Sequence, residues 1–132
     1  MTEQPQAKPG QIVWVDLTIP NADQVRDFYS QLIGWQPSPV DMGGYNDFNM
    51  NLPGTDLPAA GVCNARGQNA DLPPQWLIYI AVTDLDQRIQ TCLELGGKVI
   101  AGPKGDGLHR FCVIQDPAGA VAALVQVAGE EA

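Results

Sequence analysis

Basic residues are scarce in this 132-residue chain, which has seven Lys and Arg against 15 Asp and Glu. The formal net charge of −8 argues against nucleic acid as a partner, because phosphates require a basic patch, and it equally disfavours an anionic membrane surface. No run approaches the roughly 18 apolar residues of a membrane helix, and the opening MTEQPQAKPGQ lacks the apolar segment of a signal peptide. We therefore expect a soluble cytoplasmic protein of one domain, with loose tails at 1–10 and 129–132.

Sulfur and imidazole groups are also few. Cys63, Cys92 and Cys112 have no paired spacing, so their odd number predicts no disulfide framework and fits a reducing compartment. His109 is the one histidine of the chain. A zinc site that joins it to Cys112 is disfavoured, because residues three apart on a strand point to opposite faces. We expect neither a metal ion nor another cofactor.

An internal repeat organises the chain. The segment IPNADQVRDFYSQLIG at 19–34 aligns with VTDLDQRIQTCLELGG at 82–97, and each follows an apolar run typical of a strand. Four identities occur at an offset of 63, namely Asp23 with Asp86, Gln24 with Gln87, Leu32 with Leu95 and Gly34 with Gly97. The pattern predicts an α+β fold of two βαβββ modules, 11–66 and 75–128, which together form one domain.

Hydrophobic periodicity predicts which side chains face each helix. In the first strand, Val13, Val15, Leu17 and Ile19 alternate with Trp14, Asp16 and Thr18, so one set packs on the helix and the other lines the opposite face. In the second module, Trp76, Ile78, Ile80 and Val82 alternate in the same way with Leu77, Tyr79 and Ala81. On the helices, helical spacing predicts core positions at Val25, Phe28, Tyr29, Leu32, Ile89, Cys92, Leu93 and Leu95.

Three segments carry a resemblance to a known superfamily: VRDFYSQLIGW at 25–35, VTDLDQRIQTCLELGGKVI at 82–100 and FCVIQDPAGAVAALVQ at 111–126. Across about residues 11–127, the chain resembles the vicinal oxygen chelate superfamily of glyoxalases, bleomycin-resistance proteins and extradiol dioxygenases. The resemblance implies that the two modules form a cup-shaped mixed sheet.

The resemblance also implies where a metal ion would be held. Metal-dependent members take a His or Gln from the first strand of each module and a Glu from the last strand. The first-strand places fall on Trp14 and on Leu77, or on Trp76 if the register moves by one. The last-strand place of the second module falls on Ala123, and the last strand of the first module, AAGVCNAR, has no acid. Because such side chains do not bind a divalent ion, the interpretation is a metal-independent cup. The single His excludes the two-histidine, one-carboxylate iron site.

The candidate ligand contacts are Trp14, Asp16, Asn49, Leu77, Tyr79, His109, Arg110 and Ala123. Trp14 is either a stacking surface for a planar ligand or a residue that fills the cup. Asp16 is either a functional group, as a polar contact or a base, or a solvated carboxylate at the cup mouth. The repeat aligns Asp16 with Tyr79, and we expect the two side chains to face each other across the cup.

The candidate contacts His109, Arg110 and Asn49 lie outside the first strand of each module, and a structural role is the alternative to ligand contact. His109 and Arg110 follow the Gly-rich segment GPKGDGL, which is a candidate rim, although a lone His before a strand is more often a surface or capping residue. Asn49 lies on a strand whose polar residues alternate with Phe48 and Met50, a pattern that usually indicates a solvated face.

Three functions remain open. The first is a glyoxalase-like protein whose metal-independent cup binds a small organic molecule. The second is a glyoxalase-type lyase or isomerase that uses Asp16, Tyr79 or His109 with a non-standard metal or none. The third is a structural or regulatory module whose cup is filled by its own side chains. Two exposed sheet edges also make a homodimer a reasonable expectation.

Overall fold

The computed structural model describes residues 7–128, so residues 1–6 of the tail predicted at 1–10, and the whole tail predicted at 129–132, lie outside the described residues. The chain forms eight strands and two helices: β1 Ile12–Ile19, α1 Ala22–Ile33, β2 Gln36–Asp41, β3 Asn46–Asn51, β4 Pro58–Asn64, β5 Trp76–Val82, α2 Leu85–Glu94, β6 Lys98–Lys104, β7 Phe111–Gln115 and β8 Val121–Gln126. A 3₁₀ turn, Gly67–Asn69, lies between β4 and β5. This order confirms the predicted α+β class and the βαβββ repeat.

Strand pairing repeats in both halves. β1 runs parallel to β4, which is antiparallel to β3, and β3 is antiparallel to β2. In the second half β5 runs parallel to β8, which is antiparallel to β7, and β7 is antiparallel to β6. The parallel pair requires a crossover, and the helix between the first and second strands of each repeat begins that connection.

The described chain divides into two compact units. One is 15–76, and the other joins 7–14 to 77–128. Hydrogen bonds explain why the N-terminal segment belongs to the second unit: the Gly10 N–H donates to the Ala81 carbonyl at 2.7 Å, and the Ala81 N–H donates to the Gln11 carbonyl at 2.8 Å. Gly10, the last residue of the predicted N-terminal arm, is therefore paired.

The core of unit 15–76 lies between α1 and its strands. Leu17 and Ile19 are buried there, as the alternation of β1 predicts. The other members of the core are Ala22, Phe48, Met50 and Val62, with Val25, Tyr29, Trp35 and Trp76 packed against them. The Trp76 indole N–H donates to the Tyr29 hydroxyl at 3.3 Å, so Trp76 satisfies its polar group within the cluster.

The prediction that Phe28 and Leu32 lie in the core is wrong. Phe28 is 56% exposed and Leu32 is 62% exposed, because the buried stripe of α1 is centred on Ala22 and Tyr29. Successive helix residues are about 100° apart, so Phe28 is turned to the edge of that stripe, where its ring contacts the Tyr29 ring edge-on.

The core of the second unit lies between α2 and β5, β7 and β8. Leu85, Cys112 and Leu124 are buried there, with Ile80, Val82, Ile89, Val99 and Ile114 packed against them. Ile80 and Val82 are thus on the helix side, as predicted. Leu93 and Leu95 are exposed, which corrects their predicted core positions: the buried stripe of α2 is centred on Leu85 and Ile89, and Leu95 follows the last residue of the helix.

A side-chain cap marks the start of α2, and a glycine marks the end of α1. The Asp84 carboxylate accepts the Gln87 backbone N–H at 3.2 Å, so Asp84 is the N-cap of α2. Gly34 follows α1 with φ of 82°, a left-handed conformation that glycine adopts without steric cost. Within 7–128, no helix is long and apolar enough to cross a membrane.

Truncation of Met50 tests this core. Met50→Ala is expected to lower the free energy of unfolding by about 2–5 kcal/mol, because the side chain is fully buried. Leu32→Ala, on the exposed side of α1, is expected to change it by no more than about 0.5 kcal/mol. Urea unfolding followed by circular dichroism measures both, and equal losses would contradict the described orientation of α1.

Candidate functional site

An apolar sheet face lies opposite α2 in the second unit. Because Ile80, Val82, Cys112 and Leu124 face the helix, the alternate residues of β5, β7 and β8 lie on the other face. Four of these are fully buried, namely Leu77, Ala81, Val113 and Ala123. Tyr79 is the register partner of Ala123, and Val113 pairs with Ala123 from the other side. We call this surface the apolar face.

An aromatic pair lies on the apolar face. The Tyr79 and Phe111 rings have centroids 5.9 Å apart with an interplanar angle of 56°. Both side chains are half-buried, unlike the four residues around them. A ligand ring that reached this face would therefore meet aromatic side chains above an aliphatic floor, as in many small-molecule sites.

Lys104 completes this group. Its Nζ lies 5.5 Å from the centroid of the Phe111 ring, and Lys104 is the register partner of Phe111 across β6 and β7. Sequence reasoning missed both residues. Phe111 could have been found, because it alternates with Val113 on β7, but the shifts of register in β6 that bring Lys104 opposite Phe111 leave no periodic signal.

His109 and Arg110 directly precede Phe111, the first residue of β7, and both have structural partners nearby. The guanidinium of Arg110 forms an ion pair with Asp86 of α2, with Nη1 and Oδ1 3.0 Å apart. His109 is exposed, has φ of 72°, and donates its backbone N–H to the Gln126 carbonyl at 2.9 Å. Ligand contact by either residue stays a prediction, and the geometry gives both a role in holding the end of β8.

Unit 15–76 has a polar counterpart, formed by the side of β1, β3 and β4 opposite α1. Asp16 pairs with Gly61, Gly61 pairs with Asn49, and Asn49 pairs with Ser38, so one row across the strands carries a carboxylate, an amide and a hydroxyl. Two of the predicted contacts, Asp16 and Asn49, are thereby placed in one row. Asp16 is only 8% exposed.

The neighbouring row contains Thr18 and Cys63, which are register partners. The Cys63 Sγ lies 4.0 Å from Oδ2 of Asp16. Burial, followed by the Asp16 and Asp47 carboxylates, raises the pKa of the Cys63 thiol far above its ordinary value. This cysteine is therefore held as a neutral thiol and is a poor candidate for a nucleophile.

Trp14 belongs to the second unit and is half-buried near the middle of β1. Its predicted stacking role, and the predicted meeting of Asp16 with Tyr79, stay predictions.

A separate cavity of about 300 Å³ lies within unit 15–76. It is lined by Asp23, Arg26, Tyr45, Asn46, Phe48 and Asn64. Arg26 is already paired with Asp27, at 2.9 Å, and with Asp23, at 3.7 Å. The charges around this cavity thus largely neutralise one another, and we assign it no ligand.

The residues at the family's metal positions do not fit a metal ion. Leu77 and Ala123 offer only carbon atoms and are fully buried, and the Trp14 indole nitrogen is a hydrogen-bond donor without a free lone pair. Among residues 7–128, no three His, Cys, Asp or Glu side chains are grouped so that they could hold an ion. We derive no chemical step through a metal.

The environment of Cys63 can be tested by alkylation. The rate of Cys63 modification by iodoacetamide, followed by peptide mass spectrometry, is expected to rise at a higher pH in the folded protein than in the unfolded chain, because a raised pKa leaves less thiolate at any given pH. Asp16→Asn removes one raising charge and is expected to move the profile partly back. Asp56→Asn, an exposed control, should not move it, and identical profiles for all three proteins would show that Asp16 does not act on this thiol.

Comparison with known proteins agrees with the fold. Residues 13–125 match the family described as a glyoxalase-like domain. The chain is 30% identical over 119 residues to the anthracycline biosynthesis protein DnrV of Streptomyces peucetius, an alignment of 90% of this chain with 42% of that protein. It is 32% identical over 130 residues to the protein named "Putative glyoxylase CFP32" of Mycobacterium tuberculosis, covering 96% of this chain and 49% of that protein. The chain thus spans about half the length of the curated relatives it matches.

Solved structures show the same fold at low identity. A hypothetical protein, BH1468, from Bacillus halodurans has a TM-score of 0.55 at 14% identity, covering 95% of this chain and 99% of that one. Methylmalonyl-CoA epimerase from Mycobacterium tuberculosis has a TM-score of 0.52 at 15% identity, covering 95% and 93%. At these identities the likeness extends to the fold alone. Together with the family match over 13–125, it confirms the resemblance that the sequence carries, and the chain belongs to the glyoxalase-like domain family.

Proposed function

We propose that this chain is a glyoxalase-like protein that binds a small organic molecule without a metal ion, and that the apolar face carries the contacts. The observation behind the proposal is the identity of the residues at the family's metal positions: Leu77 and Ala123 are fully buried carbon side chains on the same face as the half-buried aromatic pair Tyr79 and Phe111. Aliphatic and aromatic walls supply affinity by removing apolar ligand surface from water.

The ligand on this proposal is planar and aromatic. The Tyr79 and Phe111 rings are tilted at 56° to each other, so a third ring can meet one of them face-on and the other edge-on. Aromatic contacts of either kind contribute about 0.5–1.5 kcal/mol beyond the burial of surface. The relative DnrV is named as a protein of anthracycline biosynthesis, and anthracyclines are polycyclic aromatic compounds, which agrees with an aromatic ligand for this chain.

A second candidate function rests on Asp16. A carboxylate that is only 8% exposed, in a row with Asn49, is the kind of group that serves as a general base, and a glyoxalase-type lyase or isomerase would use it. Turnover of the hemithioacetal of methylglyoxal and glutathione, abolished by Asp16→Asn, would favour this alternative over simple binding.

Binding of N-phenyl-1-naphthylamine, a neutral aromatic probe whose fluorescence rises in apolar surroundings, tests the proposed site. Tyr79→Ala is expected to weaken its affinity about five- to thirtyfold, equivalent to about 1–2 kcal/mol of lost ring contact. Phe28→Ala is the matched control, because it removes an exposed aromatic ring of α1 that is not among the residues of the apolar face.

The control separates the outcomes. Loss of binding in Phe28→Ala with none in Tyr79→Ala would place the probe on the helix and contradict the proposal. No binding by the unaltered protein would favour a structural module whose apolar face is filled by its own side chains.

Metal content is the second test. Protein purified without an affinity tag and dialysed in turn against nickel, zinc, cobalt and manganese is expected to retain far less than one ion per chain, because Leu77 and Ala123 offer no donor atom. Retention of one ion per chain, lost on Asp16→Asn, would overturn the metal-free proposal and support the enzyme.

A further inference from the structure

Lys104 gives the apolar face a positive charge beside its aromatic pair. We infer that the molecule bound there is a planar aromatic acid, whose carboxylate, sulfonate or phenolate pairs with the Lys104 ammonium while its ring contacts Tyr79 and Phe111. This inference rests on the proposed function and adds to it the charge of the ligand.

The scarcity of basic residues makes the place of Lys104 informative. The chain has seven Lys and Arg, and the described arginines have other partners. Arg26 pairs with Asp27 and Asp23, Arg110 pairs with Asp86, Arg66 lies over the Tyr45 ring, and Arg88 donates to the Thr83 carbonyl. Lys8 and Lys98 are exposed, whereas Lys104 is half-buried.

The described part of the chain leaves the charge of Lys104 available. None of the ion pairs within 7–128 includes it, and its Nζ instead lies 5.5 Å from the centroid of the Phe111 ring. An ammonium on a four-carbon stem moves easily by the few ångströms needed to meet an acid. In partly apolar surroundings, such a charge-assisted hydrogen bond is stronger than it is in water.

The backbone holds Lys104 in this place. The register of β6 against β7 shifts between Ala101 and Lys104, so Lys104 becomes the partner of Phe111. Gly102 permits the close approach: a Cβ there would lie 2.9 Å from the Phe111 carbonyl oxygen and 3.2 Å from the Cys112 Cα, and its φ is 83°. Strand pairing, which is more rigid than a loop, thus sets the position of the Lys104 backbone, from which the side chain reaches the apolar face.

An acidic ligand has the same sign of charge as the protein as a whole. With a net charge of −8, the chain attracts cations and repels anions at long range. A preference for an acidic over a neutral ligand at the apolar face would therefore come from a local group, and Lys104 is the group that lies there.

A pair of probes that differ in one acidic group tests the inference. 8-Anilinonaphthalene-1-sulfonate is N-phenyl-1-naphthylamine with an added sulfonate. Lys104→Gln is expected to weaken the affinity for the sulfonate about tenfold, since it removes a charge-assisted bond, and to leave the affinity for the neutral probe within about twofold. Lys104→Arg should keep most of the sulfonate affinity, and Lys98→Gln, an exposed lysine on the same strand, is the matched control.

The outcomes distinguish this inference from the proposed function. Equal affinity of Lys104→Gln and the unaltered protein for the sulfonate, or an equal loss with Lys98→Gln, would overturn the acid preference while Tyr79-dependent binding of the neutral probe still supports the site. Failure of the unaltered protein to bind either probe would overturn both.

Discussion

The helix of each repeat packs on one face of its own strands, and the two-residue period of a strand then fixes which side chains the opposite face carries. In β1, burial of Leu17 and Ile19 against α1 leaves Asp16 and Thr18 on the other side. In β5, burial of Ile80 and Val82 against α2 leaves Tyr79 and Ala81 there. A shift of one residue in either strand would exchange the two sets, so the hydrophobic core and the candidate sites are specified together.

The same constraint gives the two repeats different chemistry. The side of β1–β4 opposite α1 carries the polar row of Asp16, Asn49 and Ser38, whereas the side of β5, β7 and β8 opposite α2 carries mainly aliphatic and aromatic groups. The helix-facing residues are of similar kinds in both repeats, since each set must cover one amphipathic helix. The packing faces of the two repeats are therefore alike, while the opposite faces differ in polarity.

The sequence predicts those features of the fold that depend on local chemistry. The alternation of β1 follows from a two-residue period and the order of strands and helices follows from the internal repeat, and the structure has both. The predicted core position of Phe28 is wrong, because helical spacing allows a wider buried face than the stripe that α1 buries. How wide that stripe is depends on the tertiary fit of helix to sheet, which local spacing does not report.

For the candidate site, regular strands follow the expected alternation, whereas irregular pairing does not. Alternation sets Tyr79 apart from Ile80, the resemblance points to Ala123, and the two residues Tyr79 and Ala123 are register partners in the structure. Lys104 was not expected, because the shifts of register in β6 change which residue meets Phe111. The guanidinium of Arg110 is held by Asp86, a contact that depends on the approach of α2 to β7 and has no counterpart in the spacing of the sequence.

Apolar residues at the places that the resemblance aligns with metal ligands fit the proposed binding without a metal ion. A Glu in the fully buried place of Ala123 would lose its hydration, and an ionised carboxylate without a partner costs several kcal/mol to bury. In a metal-dependent protein the ion compensates that cost. Without the ion, a carbon side chain is the stable solution, and the surface it creates is suited to an organic ring. On the proposed function, carbon side chains at these places and an apolar binding face are one physical feature, and Lys104 is then the group by which we infer that an acidic ring is distinguished from a neutral one.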